Sequence, residues 1–199
     1  MLSSYLKQSS KDGQDCIAIH EMGDMVLLCL SDGAGGIGGG SIASRMVCAL
    51  SSDISSISKF SSEVEFELLL REIDAALCND SEAGEATCVL VLIRAGQATG
   101  ASVGDSQCWL FEADFEYELS RLQNRKPLLG SGGAVPIGFG PVELNGSIVL
   151  GSDGLFNYVK TPNIRASLPE GAEYLVKLAE NSTGYLQDDC SAIVWSTNV

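Results

Sequence analysis

The chain has 199 residues, 45% of them hydrophobic, and carries 26 acidic against 12 basic side chains, for a net charge of -14. That balance argues against nucleic acid as a partner, because a phosphate backbone demands Lys and Arg, and no run of eighteen apolar residues is present to span a bilayer. The length suits one globular domain, 1–199, with a sizeable core; the N-terminus lacks the long apolar segment of a secretory signal, so a cytoplasmic location is expected.

Apolar runs predict strands at 15–19 and 25–31, the second leading into Gly33-Ala34-Gly35-Gly36 and then a helix over about 41–54. A second helix is signalled at 62–78, with Ser61 or Ser62 as cap, Glu63, Glu65 and Glu67 at its positive end, and Val64, Leu68, Ile73, Ala76 and Leu77 as its stripe. Strands follow at 87–94, 97–103 and 107–113; Ala95-Gly96 joins the first two as a hairpin and Gly104-Asp105-Ser106 turns into the third. A Gly- and Pro-rich loop is expected over 119–144, then a strand at 147–152, a polar connection, a helix near 170–181 and a last strand at 190–196.

Seven cysteines, odd in number, well spread and without a C-x-x-C pair, read as buried reduced thiols rather than as disulfides or a zinc site. His20 is the only histidine, which leaves a His-centred triad or a multi-His metal site with nothing to work with.

Chemistry concentrates at four acidic sites where strand-like runs begin or end. Asp15 opens Cys16-Ile17-Ala18-Ile19, Asp32 closes 26–30, Asp153 follows 148–150, and Asp188 precedes 192–195. If these strands are neighbours, their carboxylates gather at one edge. Clustered carboxylates repel and stay ionised near neutral pH only beside a cation, and hard divalent ions take oxygen ligands. The pattern predicts a metal-dependent enzyme. Asp189, Asp12, Asp53 and Asp80 are read as surface or capping residues.

Five ordered motifs carry a resemblance: Gln14-Asp15, Asp32-Gly33-Ala34-Gly35-Gly36, Gly104-Asp105-Ser106, Ser152-Asp153-Gly154-Leu155-Phe156 and Asp188-Asp189-Cys190-Ser191. Together they resemble the metal-dependent serine/threonine protein phosphatases of the type 2C family, over 14–195. The resemblance implies an α+β fold of two stacked antiparallel β-sheets, a sandwich flanked by α-helices on both sides. It implies two Mg²⁺ or Mn²⁺ ions, with Asp32 bridging both, Gly33 offering its carbonyl, Asp15 on one ion, Asp153 and Asp188 on the other, and Asp105 in a third site. Catalysis would rest on Asp32, Asp15 and Asp153, which set a metal-activated water against phosphoserine or phosphothreonine in a protein substrate, in a signalling setting. Departures from the family stand at three positions: Ser10 where an arginine commonly grips the phosphate, Asn157 where an acid often serves the third site, and Ala34 inside the glycine motif. Lys11, or another arginine such as Arg125, would then meet the phosphate.

Two alternatives remain. The first is a catalytically weakened module of the same fold that binds a phosphoprotein or ligand. The second, more remote, is a dinucleotide-binding protein, since Gly33–Gly38 satisfies G-x-G-x-x-G and Asp53 lies about twenty residues on; Asp53, however, falls at the end of a helix and not at a strand tip.

Overall fold

The computed structural model describes residues 1–9, 13–35 and 38–197. Within them lie strands β1 (Leu2–Lys7), β2 (Asp15–Met22), β3 (Met25–Asp32), β4 (Cys88–Arg94), β5 (Gln97–Val103), β6 (Gln107–Phe111), β7 (Glu116–Glu118), β8 (Ile137–Glu143), β9 (Ser147–Gly151) and β10 (Cys190–Ser196). Helices α1 (Gly40–Leu50), α2 (Ile54–Ile57) and α3 (Glu63–Cys78) precede β4, and α4 (Asp153–Phe156), α5 (Thr161–Ser167) and α6 (Ala172–Leu178) lie between β9 and β10. One sheet runs β1-β10-β9-β6-β7 and the other β2-β3-β4-β5-β8. Every neighbouring pair is antiparallel. This is the α+β two-sheet sandwich expected, and among the described residues its antiparallel order leaves no parallel β-α-β unit of the kind a dinucleotide fingerprint needs; Gly36 and Ile37 of the Gly33–Gly38 motif lie outside the described residues.

Period-two alternation builds three apolar layers. Leu28 and Leu30 of β3, Val89 and Val91 of β4, Leu110 of β6, Ile148 and Leu150 of β9 and Ile193 of β10 meet between the sheets. Their sequence neighbours point outward: Leu27, Cys29, Leu90 and Leu92 pack with Val47 of α1 and Phe66, Leu70, Ile73 and Leu77 of α3, while Val149 and Val194 pack with Ile164 of α5 and Leu175 and Val176 of α6. Strands covered on both faces must be apolar throughout, which is why these runs show little alternation in sequence. Burying each such Leu, Ile or Phe contributes about 1.5–3 kcal/mol.

Several expectations change in detail. The buried stripe of α3 is Phe66-Leu70-Ile73-Leu77, while Val64 and Leu68 are more than half exposed, at 51% and 55%. α1 stops at Leu50, and Asp53 caps the short α2 by accepting from the backbone N–H of Ser56. β4 and β5 form the expected hairpin, with Ala95 and Gly96 both at positive φ, 51° and 77°. β5 and β6 belong to different sheets, so the turn at 104–106 carries the chain across the sandwich rather than through a second hairpin. The 119–144 segment is a loop only to Pro136, after which β8 pairs with β5. The polar connection contains α4 and α5. All seven cysteines are free, Cys78 exposed, Cys16 half-buried and the other five buried.

Candidate active site

Strand pairing brings the acidic motifs together. Asp15 and Asp32 face each other as the terminal register pair of β2 and β3. Beyond them the Gly33 N–H donates to the Gln14 carbonyl at 3.1 Å, and a Cβ on Gly33 would collide with the backbone of Gly40 at the start of α1. Only glycine lets that helix approach so closely. Thr87 ties the next motif in: its Oγ1 accepts from the Asp32 N–H at 2.9 Å and lies 2.7 Å from Ser106 Oγ, setting Asp105 at the same sheet edge. In the other sheet Ser152 and Ser191 lock two motifs together, Ser152 N–H donating to the Ser191 carbonyl at 3.2 Å and Ser191 N–H to Ser152 Oγ at 3.1 Å.

Asp32, Gly33, Asp105, Asp153 and Asp188 line one cleft of about 330 Å³, together with Arg125 and Lys126. Asp15 does not line it. Its carboxylate is buried opposite Asp32, at the edge of a separate groove beside Cys16 and Arg45. Among the described residues neither oxygen of Asp15 has a hydrogen-bond partner, and the same is true of Ser191 Oγ close by. Burial pushes Asp15 up to about 6, partly offset by the neighbouring Ser191 and Ser152 hydroxyls. Asp32 is pushed up to about 10, first by burial and then by Asp15, Asp153 and Asp188. Asp153 rises for the same reasons, burial first, then the charges of Asp105 and Asp188. Among the described residues no group of three or more His, Cys, Asp or Glu side chains is set so as to hold a metal ion as they stand. The donor chemistry nonetheless suits a hard divalent cation: buried, unpartnered carboxylate oxygens with further carboxylates around them, and no thiol or imidazole among the cleft's lining residues.

The corner around Asp105 brings together residues named separately from the sequence. Asp105 Oδ2 pairs with Arg125 Nε at 2.7 Å, and the Asn157 amide donates to Asp153 Oδ2 at 3.2 Å. Lys11 and Ser10 lie outside the described residues. His20 sits on β2 and does not line the cleft, its Nε2 buried without a hydrogen-bond partner among the described residues.

Two aspartates that sequence reasoning passed over hold the loops of the site. Asp189, expected at the surface, is buried and accepts from Ser9 N–H at 2.7 Å, Ser9 Oγ at 2.9 Å and Gln14 N–H at 2.5 Å. It therefore fixes the chain just ahead of Asp15. Gly154 packs against the Asp189 carbonyl with no room for a Cβ. Asp74, buried on α3, accepts from the N–H groups of Gly130 at 2.8 Å and of Gly132 and Ala134 at 3.0 Å each. That carboxylate organises the glycine-rich loop that carries Arg125 and Lys126 to the cleft. The only sequence hint was the accumulation of glycines, whose free N–H groups need an acceptor.

Solved structures share this architecture. A bacterial serine phosphatase superposes with a TM-score of 0.80 at 19% identity, covering 99% of this chain and 97% of that one. The serine/threonine phosphatase Stp1 from Staphylococcus aureus gives 0.77 at 18% identity, covering 100% and 95%. The catalytic domain of the serine threonine protein phosphatase PstP, solved in complex with two manganese ions, gives 0.79 at 18% identity, covering 98% and 96%. No protein-family model matches the sequence, and no curated protein matches it. From one end to the other, the chain has the fold of the bacterial serine/threonine phosphatases of the type 2C kind.

Proposed function

We propose that the chain is a metal-dependent phosphatase that hydrolyses phosphoserine and phosphothreonine monoesters in proteins, with residues 1–199 as one phosphatase-like domain. Asp15, Asp32, the Gly33 carbonyl, Asp153 and Asp188 would hold two Mg²⁺ or Mn²⁺ ions. One observation carries this reading: Asp15 is buried with both oxygens unpartnered among the described residues, directly opposite an Asp32 pushed up to about 10. Two facing, desolvated carboxylates cost several kcal/mol unless a cation lies between them, and PstP, of the same fold, was solved with two manganese ions. Bound there, a pair of divalent ions supplies an activated water and positive charge for the phosphoryl oxygens.

The chain's own contribution is placement. Asp32 pairs in register with Asp15, while Asp153 at the start of α4 and Asp188 just before β10 come from the end of the second sheet, where Ser152 and Ser191 are hydrogen-bonded to each other. Arg125 and Lys126 supply cationic charge at the mouth of an otherwise acidic cleft. Cytoplasmic signalling, with a phosphoprotein as substrate, belongs to the same proposal.

The test is release of phosphate from p-nitrophenyl phosphate and from a phosphothreonine peptide in Mn²⁺, in Mg²⁺ and in chelator. Metal-dependent release that disappears in Asp153→Ala is expected. Metal binding without any turnover would favour the weakened recognition module.

A further inference from the structure

Building on the phosphatase reading, we infer that Arg125 grips the substrate phosphate and that Asp105 is the residue that positions it, not a ligand of a third metal ion. The juxtaposition is direct: Asp105 Oδ2 lies 2.7 Å from Arg125 Nε, and both residues line the cleft with Asp32 and Asp153. Asp105 engages one edge of the guanidinium. The two Nη groups have no hydrogen-bond partner among the described residues. A guanidinium held at Nε keeps the planar two-pronged face that matches phosphate oxygens.

The surroundings agree. Arg125 and Lys126 are the cationic side chains of a cleft whose other charged lining residues are carboxylates, so an incoming dianion finds its positive charge there or on bound metal. The side chain of Arg125 is 78% exposed and that of Asp105 29%, so the pair leaves the outer edge of the guanidinium open to a doubly charged phosphate. Asn157 gives the corner a neutral amide, bonded to Asp153, while Asp105 turns its Oδ2 to Arg125. The arginine is also well presented. A few residues on, Leu129 exchanges two backbone hydrogen bonds with Ala86, each 3.0 Å, and Asp74 holds the N–H groups of Gly130, Gly132 and Ala134.

The experiment compares wild type, Arg125→Ala, Arg125→Lys and Asp105→Asn, all Mn²⁺-loaded. It reads KM and kcat on a phosphothreonine peptide, the Kd for inorganic phosphate by calorimetry, and Mn²⁺ stoichiometry. Arg125→Ala should raise both KM and phosphate Kd by about tenfold or more, as expected for losing a charged two-pronged contact, with Mn²⁺ stoichiometry unchanged; Arg125→Lys should restore only part. Asp105→Asn should raise KM by a smaller factor and keep the wild-type Mn²⁺ count. Phosphate affinity within about twofold of wild type in Arg125→Ala would overturn the grip, and loss of a bound Mn²⁺ in Asp105→Asn would return Asp105 to the metal. If wild type hydrolyses nothing, the phosphatase reading fails, whereas phosphate binding that is lost in Arg125→Ala would still uphold this assignment.

Discussion

Asp15 on β2 and Asp32 on β3 stand directly opposite each other, and burial drives both toward protonation, to about 6 and about 10. The metal-free protein bears the cost of that pairing. Asp32→Asn keeps the shape and spares folding the cost of protonating that carboxyl, so in chelator at neutral pH the variant should be more stable than wild type by about 1–3 kcal/mol. It should also lose metal-dependent hydrolysis. Thermal melts in chelator check the first half, and a variant that melts below wild type would sink the electrostatic account of the pair.

The same pair sets a pH dependence. A carboxyl raised above its unfolded value of 3.8 binds protons in the folded state that the unfolded chain has released, so its contribution to stability is present at low pH and is lost as pH rises through the folded value. For Asp15 the loss falls between about 4 and about 6 and amounts to about 3 kcal/mol; for Asp32 it continues toward about 10. Asp53 and Glu65 are shifted the other way, downward, by hydrogen bonds from neighbouring serines, and are already ionised above pH 5. Between pH 5 and 8, therefore, the melting temperature in chelator should fall as pH rises. Saturating Mn²⁺ should flatten that fall, because the ion binds the ionised carboxylates. A melting temperature in chelator that climbs across this window would contradict the assignment.

Asp74 should matter as much to the loop as to the helix that bears it. Asp74→Ala leaves the N–H groups of Gly130, Gly132 and Ala134 without their acceptor, at a cost of about 1–3 kcal/mol or more. Hydrogen exchange should report the loss as faster exchange confined to those amides, and KM should rise because Arg125 is carried by the same segment. Unchanged exchange at Gly130 and Ala134 would mean that the loop holds itself.

What could be read from the sequence, and what could not, follows from how local each signal is. Asp15, Asp32, Asp153 and Asp188 announce themselves because each lies at an apolar strand run and two of them are followed by a glycine that close approach requires; Gly33 and Gly154 do meet backbone where a Cβ would not fit. The strands of the inner layers were legible because an apolar run covered on both faces has no other use. β1 and β7 were not, being edge strands with half-exposed patterns. Asp74 looks like one more acid on an acidic helix, since its partners begin fifty-six residues away. Arg125 carried no motif of its own, and its partner Asp105 lies twenty residues earlier in the turn that crosses between the sheets.

The hairpin between β4 and β5 contains an improvable position. Ala95 sits at φ 51°, in the left-handed region, beside Gly96 at φ 77°. A two-residue turn of this kind favours Asn or Asp ahead of glycine, and a Cβ residue such as alanine is strained there by about 1 kcal/mol. Ala95→Asn should therefore stabilise the protein by about 0.5–1 kcal/mol in urea denaturation and leave turnover untouched, since the turn lies away from the cleft. A loss of stability would show that the neighbouring strands, not the turn, set that geometry.

Asp188 and Asp189 are neighbours with opposite exposure, and two substitutions separate their tasks. Asp189 uses both oxygens, Oδ1 for Ser9 and Oδ2 for Gln14. Asparagine can satisfy only one of them and turns an N–H toward the other donor. Asp189→Asn should thus cost about 1.5–3 kcal/mol of stability and, by releasing the chain just before Asp15, weaken Mn²⁺ binding as well. Asp188 is exposed and lines the cleft, so Asp188→Asn should change stability by no more than about 0.5 kcal/mol while still weakening Mn²⁺. Urea denaturation paired with calorimetric Mn²⁺ titration distinguishes the two. If Asp189→Asn proved as stable as wild type, the anchoring of the 9–14 segment would lie elsewhere; if Asp188→Asn bound Mn²⁺ as tightly as wild type, Asp188 would drop out of the proposed ligand set.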